Sequence, residues 1–330
     1  MKSNKYILVT GGAGFIGSAL IDALNQKGEE NIVVCDLLEK DEKWKNLVAL
    51  KFDDYIESDD LLSEIEQSNS FLRNCKTVYH LGACSSTTEK DARYLIKNNF
   101  EYTKKLSNAA LINDARFVYA SSAATYGDGS NGMDDKNENI ESYKPLNMYG
   151  YSKHLFDLYA KKTGILDQVV GIKFFNVYGP NENHKNNMRS LVSKAYYEIK
   201  ETQKLKLFKS YHPDYADGEQ MRDFLYVKDA VDITLFLGEH KKCGGIYNAG
   251  SGEANTWLTL ASAIFKAMGL EMNIDFVDMP EVLKDKYQYY TCADISKLRN
   301  VGYEKKMTCL EAAVSDYIQN YLSKNKYLGE

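Results

Sequence analysis

The sequence predicts an α/β protein built on a doubly wound parallel sheet, with a smaller C-terminal portion added to it. Three observations carry this. The apolar run Tyr6 to Val9 breaks at glycines and leads into a helical pattern from Phe15 to Asn25. A second apolar run, Asn31 to Cys35, ends in an acid, Asp36. Runs of strand and helix character then alternate to about residue 175, as parallel βαβ units require.

The first strand and its turn set the frame. Tyr6 to Val9 reads as a buried strand, and Gly11 or Gly12 makes the tight turn after it. Gly14 lets the backbone approach a pyrophosphate, and Gly17 lets the helix pack close to the strand. The helix start then offers free N–H groups and the positive end of its dipole to phosphate oxygens. Asp36 stands about twenty residues past Gly17, where a ribose-binding acid belongs in this Rossmann-type unit. Further strands are expected at 48–52, 76–81, 116–121 and 168–175, and helices at 59–68, 90–113 and 149–163. Residues 1–175 therefore read as a dinucleotide-binding domain. Residues 176–330 read as a substrate-binding portion partly interleaved with it, with helices at 188–201, from 228, near 256–268 and at 308–323, and strands at 205–208, 224–227 and 245–248.

Composition sets the class. At 330 residues, 44% hydrophobic and 26% charged, the chain resembles an ordinary globular protein. A net charge of −5 without a basic block gives no signal for nucleic acid. No apolar run reaches the roughly 18 residues of a membrane span. The six cysteines show no metal-ligand spacing and read as free thiols, so no metal and a cytoplasmic location are expected. Only four prolines are present and no Pro-rich linker is visible, so the two portions are expected to pack together.

Tyr149-Gly-Tyr-Ser-Lys153 is the central catalytic candidate. Four residues apart on a helix, Tyr149 and Lys153 share one face, and a nearby ammonium favours the phenolate. The spacing recurs at Tyr196 and Lys200, but no strand of the sheet precedes that copy, and it reads as packing. Upstream of the first copy, Ser121-Ser122 closes the 116–121 strand, at the sheet edge where α/β proteins bind ligands. A serine there can hold a substrate hydroxyl while the phenolate takes its proton, or it can simply satisfy the loop backbone.

With these segments the chain resembles the extended short-chain dehydrogenase/reductase family of nucleotide-sugar enzymes. The resemblance is carried by Thr10-Gly-Gly-Ala-Gly-Phe-Ile-Gly17, Ser121-Ser122 with Tyr126-Gly127, Tyr149-x-x-x-Lys153, Phe175-Asn-Val-Tyr-Gly-Pro180 and Arg222-Asp-Phe-Leu-Tyr-Val-Lys-Asp229. Within the family it is most similar to the ADP-heptose 6-epimerase branch, through Gly82-Ala-Cys-Ser-Ser-Thr-Thr-Glu89, Pro145-Leu-Asn-Met-Tyr149, His184-Lys185 and Tyr287-Gln288 with Ala293-Asp294. The resemblance implies epimerisation of an ADP-heptose at C6 in lipopolysaccharide core precursor synthesis, through transient oxidation with tightly bound NADP. A homo-oligomer is also expected.

It further implies that Tyr149 is one acid/base, assisted by Ser122 and Lys153, and that Lys185 is the second. Gly11, Gly14, Phe15, Ile16, Gly17, Asp36, Leu37, Lys43, Leu81, Gly82, Ala83, Cys84, Ser85, Asn98, Lys153, Val177 and Lys185 would hold the cofactor. Asn176, Asn187, Lys194, Phe208, Ser210, Arg222 and Tyr287 would meet the ADP-sugar. Arg222 suits a diphosphate through bidentate pairing, with a salt bridge to Asp223 as the structural alternative. Three departures stand out. The segment between Phe208 and Arg222 is longer than the family pattern. Asn183, Asn186 and Asn187 surround His184-Lys185, where asparagine can keep a left-handed turn. Asp36 alone suggests NAD, whereas Lys43 matches a basic contact for NADP, and Leu37 and Ser58 add no charge there. A dehydratase would need an acid pair where Ala123-Ala124 stands. A UDP-hexose 4-epimerase and a non-catalytic NADP(H) sensor are the remaining alternatives.

Overall fold

The computed structural model describes residues 5–68, 70–284 and 287–330. The strands are β1 (Tyr6–Thr10), β2 (Ile32–Asp36), β3 (Asp54–Glu57), β4 (Cys75–His80), β5 (Arg116–Ser122), β6 (Val169–Phe174), β7 (Asn176–Tyr178), β8 (Leu205–Phe208), β9 (Met221–Tyr226), β10 (Gly245–Ala249), β11 (Ala254–Thr256) and β12 (Ile274–Val277). The main sheet has seven strands in the order β10-β6-β5-β4-β1-β2-β3, and every neighbouring pair is parallel. Apolar runs such as Ile7 to Val9 and Ile32 to Cys35 fit strands covered on both faces, and these residues are buried.

The main helices are α1 (Phe15–Gln26), α2 (Ser58–Ser68), α3 (Ala92–Leu95), α4 (Tyr102–Ile112), α5 (Met148–Lys162), α6 (Leu191–Thr202), α7 (Val227–Glu239) and α8 (Trp257–Met268). One apolar core joins α1 and α7 to one face of the sheet, through Leu20, Ile21, Val231 and Ile233 among others. A second joins α2, α4 and α5 to the other face, through Leu61, Leu106 and Phe156. The direction of the strand order reverses between β1 and β4, and ligands of open α/β sheets bind in the crevice at such a point.

The portion after residue 175 returns α7 and β10 to the main sheet, so the two parts interleave. What lies outside it is small: the sheet β11-β9-β7, the pair β12-β8, and α6 and α8 against them.

Two expectations need correction. The strand expected at 48–52 lies at Asp54–Glu57, and Lys43–Leu47 forms a 3₁₀ turn. Leu47 and Leu50 are buried from the turn region, while the true strand is a polar edge paired only with β2. The helix at 90–113 is interrupted by a π turn, Ile96–Glu101, between α3 and α4. Helix Leu310–Asp316 likewise passes into a π turn at Tyr317–Leu322. Tyr196 is buried in the core with Lys200 Nζ 5.8 Å from its ring centre, which is the packing role expected for the second Tyr-x-x-x-Lys.

Candidate active site

Gly11, rather than Gly12, takes the left-handed turn after β1, at φ 68°. A side chain there would collide with the backbone at Leu81 and Gly82, so the two loops at the switch point touch only because both are bare. Gly14 accepts the first bond of α1, from the Ser18 N–H at 3.0 Å, and supplies no side-chain cap. No acid stands in the first turn of the helix. Its leading N–H groups are therefore open to phosphate oxygens, and the turn fits a dinucleotide.

Asp36 closes this end. Its Oδ2 accepts from the Ala13 N–H at 2.8 Å, and its Oδ1 accepts from the Leu37 N–H at 2.7 Å and pairs with Lys43 Nζ at 2.9 Å. The walls of the adjoining cavity include Gly11, Asp36, Leu37, Lys43, Gly82, Ala83, Cys84 and Asn98.

A larger cavity of about 1100 Å³ continues across the carboxyl ends of the strands. Phe15, Ile16, Leu81, Ala83, Ser85, Ser122, Tyr149, Lys153, Asn176, Val177, Lys185, Arg222 and Tyr287 line it. Tyr149 sits in the first turn of α5, which Asn147 caps by accepting from the Gly150 N–H at 2.8 Å. A side chain at Gly150 would meet the Ala124 carbonyl, so the glycine lets α5 approach the loop after β5. Ser122 accepts from the Ala124 N–H at 3.1 Å, and its hydroxyl faces the Tyr149 phenol. Burial pushes that phenol up, and the nearby Ser122 hydroxyl partly opposes it. Lys153 donates to the Ala120 carbonyl at 2.9 Å. Burial pushes its ammonium down to about 8, against the pull of the Asp157 carboxylate.

Beneath the site, Asp157 is fully buried and accepts from the Tyr119 and Ser121 hydroxyls, both at 2.8 Å. It also pairs with the fully buried Lys173 at 3.1 Å. Ser121 is thus turned into a core network, while Ser122 meets Tyr149.

Lys185 enters from the 3₁₀ turn Asn183–Met188, beside the glycine turn, with its Nζ 5.3 Å from the centre of the Phe15 ring. Burial pulls its ammonium down and the Glu182 carboxylate opposes this. Asn186 takes a positive φ of 47° with ψ −120°, outside the left-handed helical well that asparagine was expected to allow in this loop.

A second cavity, of about 520 Å³, shares Asn176, Val177, Met188 and Tyr287 with the first and adds Lys194, Phe208 and Trp257. Arg222 is buried beside the aromatic rings here, 5.0 Å from the centre of Tyr287 and 5.7 Å from that of Trp257. Trp257 donates from its ring N–H to the Tyr287 hydroxyl at 2.8 Å, fixing the pair. The Asp223 alternative does not hold. Successive residues of β9 face opposite ways, and Asp223 accepts from the N–H groups of Ser251, Gly252 and Ala293 at 2.6, 3.0 and 3.0 Å. Among the described residues Arg222 forms no salt bridge; its guanidinium donates to the Met221 carbonyl at 2.8 Å. Burial disfavours its charge, and among the described residues no carboxylate compensates.

Two of the residues expected to meet the ADP-sugar stand apart from these walls. Ser210 donates its N–H to Asp217 at 2.7 Å and its hydroxyl to the His212 carbonyl at 3.3 Å, inside the long 209–220 segment. That segment folds onto Tyr289, whose ring centre lies 4.9 Å from that of His212 and 5.6 Å from that of Tyr215. Asn187 is exposed, and its neighbour Met188 lines both cavities.

Asn99 was not recognised in the sequence. Asn99, buried in the π turn, accepts from the Cys84 N–H at 2.9 Å and donates to the Cys84 carbonyl at 2.9 Å and to Ser152 Oγ at 3.0 Å. Ser152 in turn donates to the Tyr149 carbonyl at 2.7 Å. Asn99 thereby ties the Gly82–Ser85 wall to the helix that carries Tyr149. A helical periodicity of 3.6 does not reveal a π turn, so nothing in the pattern distinguishes Asn99 from Asn98.

The comparisons agree with this geometry. Residues 7–250 match the model of the NAD dependent epimerase/dehydratase family. The ADP-L-glycero-D-manno-heptose-6-epimerase of Nitratidesulfovibrio vulgaris is 49% identical over 316 residues, covering 96% of this chain and 98% of that protein. The Fusobacterium nucleatum protein of the same name is 46% identical over 327 residues, with 96% and 98% covered. The crystal structure of the Helicobacter pylori ADP-L-glycero-D-manno-heptose-6-epimerase superposes with a TM-score of 0.79 at 26% identity, covering 96% of each chain. Matched over nearly its whole length by such relatives, the chain belongs to the NAD dependent epimerase/dehydratase family, on the branch of these heptose epimerases.

Proposed function

We propose that the protein epimerises ADP-D-glycero-D-manno-heptose to ADP-L-glycero-D-manno-heptose at C6, as a step in making lipopolysaccharide core precursors. The observation that carries this reading is one cavity holding two separate proton-transfer groups, Tyr149 from α5 and Lys185 from the loop after β7. A nicotinamide dinucleotide held by the glycine turn and the walls around Asp36 and Lys153 would supply the hydride acceptor and donor for C6. The chain supplies the rest. Inverting a carbon this way requires the ketone to turn between the two transfers, so its oxygen occupies two places. A phenol on a rigid helix reaches one of them and Lys185 serves the other. Ser122 orients the hydroxyl at the Tyr149 position, and the Lys153 ammonium favours the phenolate. Arg222, buried beside aromatic rings and without a carboxylate partner among the described residues, suits the diphosphate. Asn176, Lys194, Phe208 and Tyr287 then line the space for the rest of the nucleotide sugar.

NADP is the dinucleotide we favour. Lys43 neutralises the carboxylate that would otherwise repel a 2′-phosphate, and it stands in the wall of that end of the cleft. Residues 176–330 serve as the substrate-binding portion. Among the described residues, no helix is long and apolar enough to cross a membrane, which accords with work on a cytosolic nucleotide sugar. A UDP-hexose 4-epimerase would need no second base, so Lys185 favours the heptose reading. Incubation with ADP-D-glycero-D-manno-heptose or UDP-glucose, read by NMR at the inverted carbon, tests the choice. Inversion at C6 of the heptose supports it, and turnover of UDP-glucose alone would refute it.

A further inference from the structure

The loop that delivers Lys185 is fastened to the dinucleotide turn by two buried amides that line neither catalytic cavity. Asn46 lies on the 3₁₀ turn that also carries Lys43. Its Nδ2 donates to the Ala13 carbonyl at 2.9 Å and to the Asn181 carbonyl at 3.1 Å, and it stands 3.3 Å from His184 Nδ1. Asn181 is held at φ 75°. Its own Nδ2 donates to Ser18 Oγ at 3.0 Å, and its Oδ1 accepts from the Leu328 N–H at 2.9 Å. Ala13 belongs to the glycine turn and Ser18 to the first turns of α1, while Asn181 and His184 precede Lys185 in its own loop. The two amides therefore join the phosphate-binding turn, the Lys43 turn, residue 328 and the Lys185 loop at one buried point. The contact of Lys185 Nζ with the Phe15 ring docks the same loop on the same turn from the cavity side. Burial keeps the neighbouring His184 imidazole neutral, with its pKa down to about 4.

We propose that Asn46 and Asn181 are positioning residues for Lys185, holding its loop against the dinucleotide turn so that the ammonium is aimed at the reacting oxygen. This rests on the reading of Lys185 as the second acid/base. A buried side-chain amide is the right chemistry for the task, because it fixes the loop through directional bonds to backbone carbonyls and adds no charge beside Lys185. An aim that slips by an ångström costs about a hundredfold in a proton transfer, so the effect is measurable without loss of the fold.

The test uses the purified enzyme with its bound cofactor, in excess over each C6 epimer of the ADP-heptose in separate stopped-flow experiments. Reduction of the nicotinamide is followed by absorbance. Lys185→Met is the reference and should slow one epimer by about a hundredfold while sparing the other. Asn181→Gly keeps the left-handed backbone and removes both side-chain bonds, and Asn46→Ala removes the bolt from the other side. Both should reproduce the one-sided defect, at about tenfold or more, with cofactor content unchanged. Equal slowing of both epimers, or no slowing, in the asparagine variants beside a one-sided Lys185→Met would overturn the positioning role alone. If Lys185→Met is not itself one-sided, the second-base reading falls and this proposal falls with it. Should Asn46→Ala fold poorly, Asn181→Gly decides the matter.

Discussion

The Lys43 ammonium lies 2.9 Å from Asp36 Oδ1, while the Ala13 N–H holds Oδ2 of the same carboxylate at 2.8 Å. The acid that would bind a ribose hydroxyl is thus engaged from both sides by the protein itself. Lys43→Ala is expected to weaken NADP by about tenfold and NAD much less, since it removes a cation from the 2′ position and frees the carboxylate. Titration of the cofactor-free variant with each dinucleotide checks this, and an equal loss for both would contradict the role given to Lys43.

Activity should depend on the charge of Lys153. Its pKa is pushed down to about 8, so the ammonium is present below that pH and is lost as pH rises through it. The Tyr149 phenol is raised by burial, and in the proposed mechanism the Lys153 ammonium helps it to ionise. The rate is therefore expected to fall above about pH 8, and in Lys153→Arg, whose charge persists, the fall should move to higher pH in whatever activity remains. A basic limb in the same place for both enzymes would remove Lys153 from this role.

Arg222→Met is expected to raise the substrate KM by at least about tenfold, with a smaller change in kcat, because a buried bidentate cation would be lost from the diphosphate. Arg222→Lys should restore only part of the binding, as a point charge lacks the fork geometry. Steady-state kinetics on both variants decide it; an unchanged KM in Arg222→Met would place the diphosphate elsewhere.

Asp157 and Lys173 make a stability prediction. Asp157→Asn leaves a fully buried ammonium without its carboxylate and should cost about 3–5 kcal/mol in denaturant unfolding at neutral pH. Removing both charges, in Asp157→Leu with Lys173→Met, should recover much of that loss. A neutral Asp157→Asn would mean that the Tyr119 and Ser121 hydroxyls suffice to hold the site.

What the sequence disclosed follows the range of the interactions. The glycine turn and the Tyr149–Lys153 pair are local, set by residues within one or two turns, and their geometry follows from spacing. The strand at Asp54–Glu57 was missed because an edge strand need not be apolar, whereas Val48 to Phe52 imitates a buried one. An Asp223 salt bridge for Arg222 was open until β9 was seen to place the two side chains on opposite faces. Asn46, Asn99 and Asn181 did not stand out in the sequence, since their side chains bond partners between 15 and 163 positions away. The long 209–220 segment was legible as an insertion, but its packing on Tyr289 was not.

The central claim is that C6 inverts by removal and return of the same hydrogen within one bound complex, and its most direct measurement is the fate of a deuterium label. ADP-D-glycero-D-manno-heptose deuterated at C6 is incubated in ordinary water with the purified enzyme and no added cofactor, and the product is read by NMR and mass spectrometry. The account predicts the inverted heptose with its deuterium still at C6. Loss of the label to solvent would show that C6 is inverted through a proton instead, and would contradict the roles given to Tyr149, Lys185 and the dinucleotide cleft.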